Sequence, residues 1–300
     1  MRNASHRLGL LQIHLGVALA GGAGLFAKFV AVSPAVITCG RTLFGSLALG
    51  MAARLMKTSL RLRGGKDALW MVLAGGILAA HWFSFFTSIR ISTVAIGLLS
   101  FSTFPLFVTF LEPVLFREKR HGRDVITAVA VVAGLALVIP EWDLGNHLTQ
   151  GVLWGLLSAA TYAALSLLSR SQVRAYPALT VAFYQQAVAA LCLFPWALGR
   201  ESAPGGRDLF LLVILGVVFT ALAHGLVVAS LRHLRAQTVG VVFGLEPVYG
   251  ILLAWLLLHE RPEARTFAGG FLICGAVAWA SWKRKPAIAT HVTAPGKRLS

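Results

Sequence analysis

Apolar residues run along this chain in blocks of about twenty, separated by gaps of a few residues carrying arginine, lysine, glycine and proline. A helix crossing lipid hydrocarbon needs roughly 20 mostly apolar residues. Ten windows meet that pattern: 8–30, 35–56, 68–88, 92–115, 124–140, 149–169, 177–198, 208–231, 236–258 and 266–282. The gaps are too short for a soluble domain, so the pattern predicts a polytopic all-α membrane protein. Asp67, Asp124, Thr149 and Asp208 precede apolar runs and are expected to cap helix N-termini. The first window opens like a secretory signal, with Arg2 and Arg7 ahead of an apolar run to Ala20. The run continues through Gly24-Leu25-Phe26 to Val32, so it reads as the first spanning helix. After the last window, 284–300 turns polar and reads as a disordered tail.

Composition supports lipid as the solvent: 57% of residues are hydrophobic, 13% are charged, and the mean hydropathy is +0.76. The net charge of +16 would suit nucleic acid, but the basic residues sit in the short gaps and form no basic domain. Nucleic-acid binding is therefore excluded as a reading. Basic residues retained on the cytoplasmic side give orientation. With the N-terminus inside, 20 of the 27 lysines and arginines face the cytoplasm and five face outward, with Lys28 and Arg41 left inside helices. That assigns a cell (inner) membrane location with both termini cytoplasmic. Cys39, Cys192 and Cys274 lie far apart in apolar runs, with no metal spacing, and no cofactor is expected.

The two halves of the chain match at a fixed offset. At 142 residues Arg90 pairs with Arg232, Pro105 with Pro247, Glu118 with Glu260 and Arg123 with Arg265. At 143, Pro34 pairs with Pro177 and His81 with His224. An isolated match of Leu111-Glu112-Pro113-Val114 with Leu245-Glu246-Pro247-Val248 would imply 134 instead. The expected organisation is ten transmembrane helices as a 5+5 inverted-topology repeat, one unit at 8–140 and one at 149–283. An odd number of helices per unit makes the second enter from the opposite face, and such repeats bind solute near the midplane between them.

Gly24-Leu25-Phe26-Ala27-Lys28, Ser33-Pro34 and Arg41 resemble the opening of EamA-like domains. So do Ser230-Leu231-Arg232, Gly244-Leu245-Glu246-Pro247-Val248-Tyr249 and Leu256-Leu257-Leu258-His259-Glu260-Arg261. The resemblance covers about 8–283 as two copies. It implies the drug/metabolite transporter superfamily, with ten helices, alternating access and no cofactor. One departure is that Tyr184 stands near the place in helix seven that matches Arg41 in helix two.

Charges inside spans cost about 2.5–3.5 kcal/mol each on insertion scales, so each needs a reason. Glu246, about ten residues into its window and beside Pro247, is expected near the midplane, where it would hold a substrate amine, exchange a proton, or pair with Arg41 or Lys28. Lys28 and Arg41 lie toward the outer ends of their windows. Either can snorkel, and Arg41 can also receive a carboxylate. Glu112 is expected to reach Arg117 near the surface. His81 and His224 are repeat equivalents that would relay protons or simply pack. Tyr162, Tyr184 and Gln185 add mid-membrane polar groups, either as interhelical hydrogen bonds or as solute contacts, and Trp82 would suit a flat solute.

The function these residues suggest is a secondary transporter exporting small metabolites such as amino acids, with membrane lipid and a small-molecule substrate as partners and proton coupling through the buried charges. The glycine- and alanine-rich faces of the fifth and tenth windows would suit a homodimer. The alternatives are a lipid or lipid-linked-sugar flippase, or a non-transporting membrane subunit. A membrane-embedded enzyme is disfavoured, because the spans hold no His-Glu-x-x-His, Gly-x-Ser-x-Gly or nucleotide-binding loop.

Overall fold

The computed structural model describes residues 2–116, 122–138, 143–199, 204–230, 233–234 and 242–282. Regular structure among them is helical: α1 (Arg2–Ala23), α2 (Phe26–Phe29), α3 (Pro34–Leu55), α4 (Gly65–Ile91), α5 (Val94–Phe101), α6 (Phe104–Phe116), α7 (Gly122–Val138), α8 (His147–Ala175), α9 (Ala178–Gly199), α10 (Gly206–Gly216), a π-helical turn (Val217–Leu222), α11 (Ala223–Ser230), α12 (Glu246–Leu258) and α13 (Ala264–Trp282). Six stretches are long and apolar enough to cross a membrane: His6–Phe29, Pro34–Leu55, Gly65–Ile91, His147–Ala175, Ala178–Ala197 and Gly206–Val227. Val94–Val108, Ile126–Val138 and Glu246–Leu258 are shorter apolar helices. The protein is a multi-pass helical membrane protein. Its tail 284–300, with Lys283 before it, lies outside the described residues.

Several apolar windows are not single regular helices. Gly24 and Leu25 break the first, Ser102 and Thr103 break the fourth, and the π turn interrupts the eighth. In the ninth, Gly244 and Leu245 form a turn before α12 starts at Glu246, so this carboxylate sits at a helix N-terminus rather than within a continuous helix. Pro247 occupies the first turn of α12, where its missing N–H would have no intrahelical partner anyway.

The predicted caps are partly replaced. Asn146 caps α8, its Oδ1 accepting from the Leu148 N–H at 2.8 Å, three residues ahead of the expected cap Thr149. Gly64 and Gly205 occupy the cap positions of α4 and α10. The first-turn acids there reach across to other segments instead: Asp67 accepts from the Tyr176 hydroxyl, and Asp208 accepts from the Ala31 N–H at 3.2 Å. Asp124's side chain lies outside the described residues.

Helix α4 packs on α8 and α9, α3 on α9 and α10, α1 on α11 and α12, α5 on α8 and α12, α6 on α8, and α7 on α13. The largest buried cluster holds Phe26, Ile37, Phe85, Phe86, Ile89, Leu98, Leu212 and Leu215. At one end of the bundle, the Tyr176 hydroxyl also accepts from the Arg63 N–H at 2.9 Å, and Gln172 donates to the Trp70 carbonyl at 2.9 Å. We refer to this as the Asp67 end. At the other, the Arg90 end, Ser88 donates to the Gly151 carbonyl at 2.6 Å, which fixes α4 and α8 antiparallel.

The glycine faces of the fifth and tenth windows are used within the chain. Helices α7 and α13 cross at Gly134 and Gly269, where a Cβ on Gly134 would stand 2.9 Å from the Gly269 carbonyl oxygen. Close backbone approach through small residues is how helices associate in lipid, where no hydrophobic force drives them together. Gly275, on the same helix, meets nothing within 4 Å. Gly269→Leu is therefore expected to destabilise the protein by about 1–3 kcal/mol, while Gly275→Leu leaves it unchanged. Thermal unfolding of the two variants in detergent checks this.

Candidate functional site

A cavity of about 450 Å³ opens inside the bundle. Its floor is aromatic: Trp82 and Phe85 from α4, Phe101 from the end of α5, and Tyr162 from α8. The Phe101 and Tyr162 ring centroids are 5.3 Å apart, and Phe104 lies behind them, 4.9 Å from Tyr162 and stacked 5.4 Å from Phe101. Helices α8 and α9 line the rest of one wall with Ser166, Ser169, Gln185 and Gln186, and the opposite wall holds Thr220, His224 and Glu246. Two interruptions of regular helix, the π turn carrying Thr220 and the turn before Glu246, thus border the cavity. Irregular backbone at membrane depth is tolerated where protein or a polar cavity surrounds it.

Arg41 is 7% exposed, and its guanidinium lies over the Trp82 ring, 3.8 Å from the centroid, with Phe86 at 5.6 Å. Its Nε donates to the Thr220 hydroxyl at 2.9 Å, and that hydroxyl in turn donates to the Leu215 carbonyl at 2.8 Å. Arg41 is thus held inward by a cation–π contact and one hydrogen bond, and does not snorkel to the outer end. Glu246 is 8% exposed, and its carboxylate makes no hydrogen bond among the described residues. It and Arg41, of opposite charge, line the same cavity.

His81 packs inside the aromatic floor, 4.9 Å from Tyr162 and 5.2 Å from Phe101. Its Nδ1 lies 3.0 Å from the Ser158 carbonyl and 2.9 Å from the Ser158 hydroxyl, so this edge is engaged by α8. His224, its repeat equivalent, is exposed at the cavity wall. Gln185 donates to Ser169 at 2.9 Å and to Gln172 at 3.1 Å, whereas the buried Gln186 Oε1 makes no hydrogen bond among the described residues.

Arg41, His81, Trp82, Tyr162, Gln185, His224 and Glu246 therefore come together around one cavity. Two of the predicted residues do not. Tyr184 donates to the Leu60 carbonyl at 2.8 Å, at the Asp67 end. Lys28 donates to the Ser92 carbonyl at 2.8 Å, at the Arg90 end, with Glu260 as its nearby counter-charge. The Glu112 side chain and Arg117 lie outside the described residues. Phe101 and Phe104 were not anticipated, although the repeat carried a signal for them. The turn Ser102-Thr103 before Phe104-Pro105 stands 142 residues ahead of the turn Gly244-Leu245 before Glu246-Pro247.

Comparison with known proteins places these features in a family. The EamA-like transporter family model matches the chain twice, over residues 7–139 and 149–282. A transporter of Archaeoglobus fulgidus is 25% identical over 279 residues, covering 91% of this chain and 97% of its own. The pseudopaline exporter of Pseudomonas aeruginosa is 29% identical over 206 residues, 68% of this chain and 72% of its own. The biotin transporter of Escherichia coli is 23% identical over 240 residues, 77% of this chain and 80% of its own. A solved crystal structure shares the fold, with a TM-score of 0.63 at 21% identity over 99% of this chain and 100% of that one.

The Thr220 hydroxyl is the acceptor that fixes the Arg41 side chain on the π turn. Thr220→Val keeps the shape and removes the acceptor, and is expected to lower stability by about 0.6–2 kcal/mol, while Thr220→Ser stays close to wild type. Thermal unfolding of the detergent-solubilised variants distinguishes the two.

Proposed function

The chain belongs to the EamA-like transporter family, and from that premise we propose that it is a secondary active carrier that exports small zwitterionic metabolites, amino acids with a flat apolar side chain above all. The observation that carries this reading is one cavity faced by Arg41 and Glu246 over an aromatic floor. The planar guanidinium, already backed by Trp82, suits a carboxylate, since its donors match both oxygens. Glu246 suits an amine, and Phe85, Phe101 and Tyr162 suit a ring. A volume of about 450 Å³ is in the range of small-molecule sites.

The reading includes ten spans as two five-helix units, 8–140 and 149–283, inserted with opposite orientation. Packing supports it. Exchanging the first five helical stretches for the second five turns α4 on α8 into the π turn and α11 on α1, and α4 on α9 into α10 on α3. It likewise turns α5 and α6 on α8 into α12 on α1, while α3 on α9, α5 on α12 and α7 on α13 map onto themselves. The twofold family match supports the same division. The excess of basic residues in alternate gaps supports an inner-membrane location with both termini in the cytoplasm. Any homodimer would use the apolar groove of Ile126, Ala130, Phe271 and Gly275 on the outer side of α7 and α13.

Coupling follows from the same charges. A proton taken up by Glu246 from outside and displaced inside by the solute's amine would make export an exchange for protons. A gradient that is acid outside then accelerates efflux. Counterflow in proteoliposomes over a panel of amino acids, with and without that gradient, tests the reading. Wild type should give saturable flux, faster with acid outside, and Arg41→Lys should raise KM about tenfold. In Glu246→Gln, loss of all flux identifies a solute ligand, and flux without pH dependence identifies the coupling group. No flux for any solute by folded protein would refute the amino-acid reading and favour lipid flipping.

A further inference from the structure

We propose that Lys28, Arg90 and Glu260 form the gate that closes this carrier at the Arg90 end, and that the bundle is held open at the opposite end because this gate is shut. The inference rests on the transport reading above, and assigns to that carrier the residues that hold one of its two faces closed.

Among the described residues the cavity extends toward one end only. On α4 its lining runs from Leu78 to Phe85 and stops there, and on α8 it runs from Tyr162 to Val173. Since α4 and α8 are antiparallel, both ranges go from mid-bundle toward the Asp67 end, where Ala178 and Val181 continue it. Beyond Phe85 the chain is solid. Phe26, Phe86, Ile89, Val94 and Leu98 are all buried, and fill the five residues of α4, roughly 7.5 Å of helix rise, up to Arg90.

Outside this plug the three half-buried side chains tie separate segments together. Arg90 donates to the carbonyls of Ala27 at 2.6 Å and Val30 at 2.8 Å, at the end of α2. Lys28, on α2, donates to the Ser92 carbonyl at 2.8 Å, at the end of α4. Glu260, between α12 and α13, accepts from the Val94 N–H at 3.0 Å, at the start of α5. The α1–α2, α4–α5 and α12–α13 segments are thereby clamped into one cap.

Two features make this a gate rather than a fixed joint. Every bond runs between segments, so all are lost together if the segments separate. The backbone groups involved lie at helix termini, where no intrahelical partner exists, so water can replace each bond when that face opens. Among the described residues the cavity is separated from the Arg90 face by the apolar plug and by this clamp above it, and the plug's residues sit on the same segments that the clamp ties together. The closed state is therefore one of two, weighted by four charge-assisted bonds from three side chains, and removing one side chain shifts the balance by about tenfold or more.

The test reads sidedness and needs no known solute. In a background with Cys39, Cys192 and Cys274 replaced by alanine, Ala20→Cys places a thiol in the cavity wall. A membrane-impermeant maleimide is applied to vesicles of either orientation. The parent should label from the Asp67 face, and Glu260→Gln or Arg90→Ala should raise labelling from the Arg90 face about tenfold. Cross-linking Ala31→Cys to Asp208→Cys, whose parent residues are hydrogen-bonded across the same end, should abolish that labelling and any counterflow, both restored by reductant. Unchanged sidedness in variants that keep wild-type helicity and monodispersity overturns the gate. So does counterflow undiminished by a complete cross-link. A shift in labelling by protein that moves no solute would sink the transport reading and leave the gate standing.

Discussion

In hydrocarbon every backbone N–H and C=O must find a partner within the protein, because no water is there to supply one. This constraint decides where the helices here can be broken. The turn at Gly244 and Leu245 and the π turn at Val217–Leu222 border the cavity, and the break at Ser102 and Thr103 stands behind its aromatic floor. The Thr103 hydroxyl donates to the Ser100 carbonyl at 2.7 Å, and Ser102 donates to the Leu98 carbonyl at 2.7 Å, so the broken span re-satisfies itself locally. A π turn has a comparable effect without a full break, since one wide turn disturbs the regular hydrogen-bond ladder and turns Thr220 toward Arg41.

The same poverty of solvation governs the charges. Arg41 keeps its place through the Trp82 face and one hydroxyl, so much of its hydrogen-bonding capacity is uncommitted to the described residues. Lys28 and Arg90 are arranged oppositely, with their donors directed at main-chain oxygens. The difference separates a cation that faces the cavity from cations occupied by the fold. Halves related in sequence are also unequal in chemistry. Phe104 stands at the repeat position of Glu246, and Tyr184 at that of Arg41, so one site carries one acid and one base instead of two of each.

The helical class was legible because lipid imposes a single period of about twenty apolar residues. Helix starts were less legible. Sequence marks Asp67 and Asp208 as caps, but each has a better partner in a segment more than a hundred residues away, the Tyr176 hydroxyl and the Ala31 N–H. The site was legible wherever a charge or histidine stood in an apolar run, since burying such a group demands a reason. It was illegible where facing mattered. Tyr184 and Gln185 are neighbours in sequence but about 100° apart around α9, and helices that are apolar on all sides do not reveal which side looks inward. Phe101 and Phe104 were hidden for the same reason, being apolar residues among apolar residues.

The clamp at the Arg90 end takes its partners from the main chain: the carbonyls of Ala27, Val30 and Ser92 and the amide of Val94. Main-chain atoms do not change when a side chain does. The helices that supply them also build the cavity, with Trp82 and Phe85 on α4 and Phe101 on α5. Substitutions that reshape the cavity for a different molecule can therefore accumulate on these helices without altering the partners that Lys28, Arg90 and Glu260 require. The shape of the cavity and the partners of the clamp are thus set by different atoms of the same helices.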